Sequence, residues 1–214
     1  MVANEVVYLI DDDCGVRQSI GSLLESAQIA VVTFESAAAF LEYGQVKQAA
    51  CLLLDLQLPG VSGLELQSRL GQDDSPPVIF ISGRSDVPST VSAMKAGAIE
   101  FLLKPVPSDV LLKAVYSAIS KNRLIRRERN ELAQLRESYS SLSQREREVL
   151  PLVVSGLMNK ESASVLGIAE VTLQVHRRQI MAKMGADSLA GLVRMAARLD
   201  IPITARDIMR NARR

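Results

Sequence analysis

Four apolar runs in the first half of the chain each stop at a residue able to handle a phosphoryl group: VYLI at Asp11 and Asp12, CLLL at Asp55, VIFI at Ser82 and FLL at Lys104. A carboxylate can attack phosphorus and carry the group as an acyl phosphate. Asp55, alone at the end of its run, is the candidate nucleophile. Asp11, Asp12 and Asp55 brought together would raise one another's pKa values by repulsion unless a cation held them. Mg²⁺ meets that need, because it takes a few carboxylates, water and a phosphate oxygen in octahedral array. Lys104 would set a compact positive charge against the remaining phosphoryl oxygens, and Ser82 would donate a hydrogen bond to one of them.

For these side chains to converge they must sit at the ends of neighbouring elements. The runs at 6–10, 30–34, 52–54, 78–81 and 101–103 have strand length, and the stretches between them have helical spacing, as in the stripe Val16, Ile20, Leu23 and Leu24. Five alternations of this kind predict a parallel, doubly wound (βα)5 sheet of order 2-1-3-4-5 with helices on both faces. Ligands of such sheets bind outside the carboxyl ends of the strands where strand order reverses, which here is between strands one and three. Those are the strands that end at Asp11/Asp12 and Asp55.

Charge divides the chain. Residues 1–106 hold 6 Lys/Arg against 13 Asp/Glu, a net of −7, whereas residues 107–214 hold 19 against 11, a net of +8. An acidic unit joined to a basic one points to a polyanion as partner of the second half alone. Cys14 and Cys51 lack the company of a zinc site or a disulfide framework and read as reduced, buried thiols. No basic leader precedes an apolar stretch, and no apolar run approaches the roughly 18 residues of a membrane span, so the expectation is a soluble, cytoplasmic protein with no membrane partner.

Past Pro107 neither proline nor glycine interrupts a long helix over about 108–138. Ile125, Leu132, Leu135, Tyr139 and Leu142 fall on a and d positions broken at Glu128, leaving either a short pairing seam or a solvated connector. From Ser143, which forms a capping box with Glu146, shorter helices follow, with two of them over about 159–166 and 170–184 closed by Gly167 and Gly185. That is the spacing of a helix-turn-helix in a four-helix all-α domain. On the second of these helices Leu173, Ile180 and Met184 face inward, while Val171, Gln174, Val175 and Arg178 project outward. An amide, a guanidinium and methyl groups can read adenine, guanine and thymine edges in a major groove. Lys160, Arg177 and Lys183 suit phosphates. His176, without a second histidine or a cysteine nearby, reads as a packing residue.

These residues carry a resemblance. DDD at 11–13, DLQLPGVSGLEL from 55, ISG from 81, AMKAGAIEF from 93 and LKP from 103 resemble the receiver domain of two-component response regulators. The resemblance implies phosphorylation of Asp55 by a sensor histidine kinase, with Asp11, Asp12, Asp55 and the backbone carbonyl of Gln57 binding Mg²⁺. It also implies that Ser82 moves toward the phosphate, that the switch aromatic Phe101 turns inward, and that Lys104-Pro105 is cis. Ser82 in place of the commoner Thr and Val106 in place of an aromatic are departures. Residues 142–199, from LSQREREVL through GLMNKESASVLGIAEVTLQVHRRQIMAKM, resemble the LuxR-type DNA-binding domain, and the whole chain to about 200 resembles the FixJ-type response regulators. Base contacts are thereby implied for Gln174, Val175 and Arg178, and phosphate contacts for Lys160, Thr172, Arg177 and Lys183. Departures here are Ser162 where an Ile packs and Ala169 where a Ser or Thr caps the recognition helix.

The expected organisation is a receiver over 1–120, a helical linker over 121–141, the DNA-binding domain over 142–200 and a basic tail over 201–214. The expected function is a phosphorylation-activated transcription regulator, not an enzyme, that forms a homodimer on promoter DNA, with RNA polymerase as a further partner. Two alternatives accompany it: a DxD phosphatase using Asp11 as nucleophile, which gives Asp55 no role, and a DNA binder whose receiver only dimerises.

Overall fold

The computed structural model describes residues 5–44, 49–71, 75–83 and 87–202. The expected basic tail lies almost wholly within 203–214, outside the described residues. The chain divides into two compact units, residues 1–126 and 127–214.

In the first unit, strands β1 (Val6–Ile10), β2 (Ala30–Phe34), β3 (Ala49–Asp55), β4 (Val78–Ser82) and β5 (Glu100–Leu103) form one parallel sheet of order β2-β1-β3-β4-β5. The predicted fold class is what the structure has. Helices α1 (Cys14–Ser26), α2 (Ala37–Tyr43), α3 (Gly63–Leu70) and α4 (Val87–Lys95) alternate with the strands, and α5 (Ser108–Ser140) follows them. Side-chain alternation at period two explains the two cores. Val7, Leu9, Cys51, Leu53, Ile79 and Ile81 face α1 and α5. Tyr8, Ile10, Leu52, Leu54, Val78 and Phe80 pack on the other face with Phe40 of α2, Leu66 of α3 and Ala93 of α4. That second layer holds a cluster of Tyr8, Phe34, Phe40 and Tyr43 rings meeting edge to face at 5.3–5.8 Å between centroids.

Register puts the polar strand ends together. Ile10, Leu54, Phe80 and Phe101 form one cross-sheet row, so Asp11 and Asp55 emerge one position later on adjacent strands. Ser82 pairs with Leu103, and the Lys104 amide donates to the Ser82 carbonyl at 2.8 Å. Cys14 corrects one expectation: it is exposed, because it opens the first turn of α1 beside the loop, while Cys51 lies buried in β3 with its thiol pKa raised by desolvation.

The second unit contains α6 (Gln144–Val154), α7 (Asn159–Leu166), α8 (Glu170–Met184) and α9 (Leu189–Arg198). Leu135, Leu142, Val149, Leu150, Leu173, Ile180, Met184, Leu192 and Ala196 are buried in one aliphatic core, with Tyr139 packed against it. The C-terminal part of the a/d seam therefore serves this unit's own core. Ser143 caps α6 as predicted: its hydroxyl accepts the Glu146 amide and the Glu146 carboxylate accepts the Ser143 amide. Gly167 and Gly185 stop α7 and α8 in the left-handed region, at φ 64° and 65°, where a side chain would be strained.

Candidate functional site

Asp11 is fully buried and Asp55 nearly so, whereas Asp12 is exposed. One carboxylate oxygen from each lies within 4.8 Å of the others. Lys104 bridges the two buried acids, its Nζ donating to Asp11 Oδ2 at 2.6 Å and to Asp55 Oδ2 at 2.6 Å. The loops orient the remaining oxygens: the Gln57 amide donates to Asp55 Oδ1 at 2.9 Å, and the Asp13 amide donates to Asp11 Oδ1 at 3.0 Å. Asp13 itself caps α1, accepting from the Gly15 and Val16 amides.

Electrostatics follow from this crowding. Burial raises the Asp11 pKa, and the hydrogen bond and charge of Lys104 only partly oppose it. For Lys104 burial acts to lower the pKa, but the hydrogen bonds to Asp11 and Asp55 outweigh it and the ammonium is held charged above its ordinary range. Two carboxylates and a cation thus share a space closed to water on one side, where electrostatic interactions are stronger than in solution.

Ser82 is fully buried at the end of β4. Phe101 is half-buried and packs with the Phe80 ring at 6.2 Å between centroids. Lys104-Pro105 is cis. A hard divalent cation fits the donor set: three carboxylates converge, that of Asp12 exposed, without a soft sulfur or nitrogen ligand.

Two contributors went unnoticed in the sequence. The Arg17 Nη1 donates to the carbonyls of both Asp11, at 2.7 Å, and Asp12, at 3.0 Å. Gly63 packs so closely under Asp55 that an added Cβ would lie 2.3 Å from the Asp55 carbonyl oxygen. No local sequence motif signals these contacts, since both arise only when α1 and α3 dock on the sheet.

On the second unit, Thr172, Gln174, Val175 and Arg178 of α8 are exposed, as is Lys160 of α7. Lys160 and Arg178 pair with no described residue. The other two proposed phosphate contacts have intramolecular partners: Arg177 donates to Asn159 Oδ1, and Lys183 Nζ donates to the buried Glu146 Oε2 at 2.7 Å. Burial acts to raise the Glu146 pKa, but the bonds from Lys183 and from Ser143 outweigh it and lower it. His176 is half-buried with Nδ1 unpartnered among the described residues, and Ser162, in the place of an aliphatic side chain, is buried with its hydroxyl likewise unpartnered. Ala169 occupies the N-cap of α8 and contributes no side-chain cap.

Comparison with known proteins adds identity to this geometry. The family described as response regulator receiver domain matches residues 7–116, and that described as bacterial regulatory proteins, luxR family, matches residues 140–196. Nodulation protein W of Bradyrhizobium diazoefficiens is 42% identical, covering 92% of this chain and 87% of its own length. The transcriptional regulatory protein FixJ of Azorhizobium caulinodans is 42% identical over 89% of this chain and 90% of its own. The solved structure of response regulator StyR matches with a TM-score of 0.84 at 46% identity, over 91% of this chain and 99% of that one. The DxD phosphatase alternative gives no role to the Asp55 carboxylate that the fold sets beside Asp11. Among the described residues no helix is long and apolar enough to cross a membrane. The chain belongs to the two-component response regulators, a transcription regulator that joins a receiver domain to a LuxR-type DNA-binding domain.

Proposed function

We propose that Asp55 is the phosphoacceptor of this regulator and that its phosphorylation by a sensor histidine kinase drives dimerisation and promoter binding in the cytoplasm. The observation that carries the reading is the bridge of Lys104 between two buried carboxylates at the switch point of the sheet. An Asp55 carboxylate oxygen attacks the phosphorus of the kinase phosphohistidine; a P–O bond forms as the P–N bond breaks and the imidazole leaves. Mg²⁺, held by Asp11, Asp12, Asp55 and the Gln57 carbonyl, would supply neutralising charge for the phosphoryl oxygens. Lys104 trades its carboxylate partner for a phosphoryl oxygen, and the Ser82 hydroxyl donates to another. Movement of Ser82 gives Phe101 room to turn inward, and the receiver equilibrium shifts toward a dimerising form.

In the dimer two copies of α8 enter successive major grooves about one helical turn apart. Gln174, Val175 and Arg178 read base edges, and Thr172 and Lys160 hold phosphates. Arg177 and Lys183 reach phosphates only by sharing or leaving Asn159 and Glu146. The chain turns over no substrate of its own; it is a stoichiometric acceptor.

Intact mass and light scattering after treatment with acetyl phosphate and Mg²⁺ test this reading. Wild type gains one phosphoryl group and dimerises, and Asp55→Asn does neither. Equal dimerisation of both proteins without added mass would leave the receiver as a dimerisation module and sink the phosphoacceptor assignment.

A further inference from the structure

The loop bearing Asp11, Asp12 and Asp13 is fastened unequally. Asp11 is fixed from three directions, since its amide donates to the Phe34 carbonyl at 3.1 Å and its carboxylate takes bonds from Lys104 and the Asp13 amide. Asp13 is fixed by capping α1. Asp12 is exposed, and its side chain has no described partner. Among the described residues its hydrogen-bonded tether is the carbonyl, which accepts from Arg17 at 3.0 Å while the same nitrogen holds the Asp11 carbonyl at 2.7 Å. Gripping two successive carbonyls fixes the peptide between them, and with it the direction in which the Asp12 carboxylate leaves the backbone. Arg17 is itself placed by the first turn of α1, its amide donating to the Asp13 carbonyl at 3.0 Å.

We infer that Arg17 is the positioning residue of the divalent-cation site, holding Asp12 toward Asp11 and Asp55 before the ion arrives. The inference rests on the reading of these three acids as the Mg²⁺ ligands. Two effects of the guanidinium oppose each other. As a clamp it pre-organises the carboxylates and favours the ion; as a positive charge near the site it repels the ion. Two charge-assisted hydrogen bonds, one of them to the part-buried Asp11 carbonyl, are worth more than the repulsion of a guanidinium that is itself partly screened by solvent, so the clamp prevails.

The test is Mg²⁺ titration by calorimetry on the full chain, comparing wild type with Arg17→Lys, which keeps the charge and one donor group, and Arg17→Met, which keeps neither. The expected order of affinity is wild type, then Lys, then Met, with Met weaker by about tenfold, the loss of one charge-assisted hydrogen bond. Phosphorylation by acetyl phosphate supplies the second readout. The Mg²⁺ concentration for half-maximal rate rises about tenfold in Arg17→Met while the rate at saturating Mg²⁺ stays within about twofold. Unchanged or tighter Mg²⁺ binding in Arg17→Met overturns the inference, and so does a loss of saturating rate or a loss of folded protein that accounts for the weaker binding. If wild type binds Mg²⁺ as expected but takes no phosphoryl group, the phosphoacceptor reading fails and the clamp stands. If wild type binds no Mg²⁺, both fail.

Discussion

Replacing Lys104 by Met removes the cation from between Asp11 and Asp55 while keeping a side chain of similar length and girth. In wild type the ammonium sits 2.6 Å from an oxygen of each acid, and the Lys104 side chain is only 20% exposed. Removing one partner of a buried ion pair costs about 3–5 kcal/mol, since a desolvated charge is left unpaired. Partial solvent access places this case near the lower end, about 3 kcal/mol, or roughly 10 °C in Tm for a unit of this size. The effect also has a pH sign. Without Lys104 the two acids repel and one takes a pKa above its unfolded value; a carboxyl group with a raised folded pKa contributes stability at low pH that is lost as pH rises through that pKa. Lys104→Met therefore becomes less inferior to wild type on going from pH 7 to pH 5. Scanning calorimetry of both proteins in EDTA at the two pH values measures cost and sign together. A cost below about 1 kcal/mol at pH 7, or a deficit that widens at pH 5, refutes the picture of Lys104 as the counter-charge of a buried acid pair. Added Mg²⁺ should also restore part of the loss, about 2.7 kcal/mol at a hundred times its Kd.

Two further outcomes concern the second unit. Ala169→Ser gives α8 the cap it lacks, on backbone already extended at φ −71° and ψ 146°, and raises protection of the Leu173 and Ile180 amides in hydrogen exchange by about 1 kcal/mol; unchanged protection would show that the helix end is stabilised otherwise. At the pair of Glu146 and Lys183, Lys183→Met costs about 2 kcal/mol and Glu146→Gln about 1, because only the first strands a charge at a buried position. The lowered pKa of Glu146 means that wild type loses this stability as pH falls below the ordinary 4.5, and Glu146→Gln does not, a difference readable in hydrogen exchange near pH 4.

How much of this was legible in the sequence depended on the range of the interaction. Strand positions followed from apolar runs, and α7 and α8 ended where Gly167 and Gly185 dictated, since left-handed backbone is a local demand. The association of Asp11, Asp12, Asp55, Ser82 and Lys104 was legible because a parallel sheet brings all carboxyl strand ends to one edge. Partner choice among long side chains was not. Arg17 looks like any solvated helix arginine until α1 is docked, and Arg177 and Lys183 look like open cations until α7 and α6 approach α8 closely enough to offer Asn159 and Glu146. Cys14 misled for a related reason: composition treats cysteine as buried, whereas the first turn of α1 places it outward.

The aromatic cluster and the aliphatic core give the two units different optical visibility. The chain has no tryptophan, and all four phenylalanines and three of the four tyrosines precede residue 127. Near-ultraviolet circular dichroism, which reports rings locked in asymmetric packing, therefore watches the receiver, above all the interlocked rings of Tyr8, Phe34, Phe40 and Tyr43. The second unit contributes Tyr139 alone, lying under the Arg147 guanidinium at 5.5 Å. A phosphorylation signal in that spectral region is a receiver signal almost by construction, and following the DNA-binding unit with light requires a chromophore placed there or the absorbance of the DNA itself.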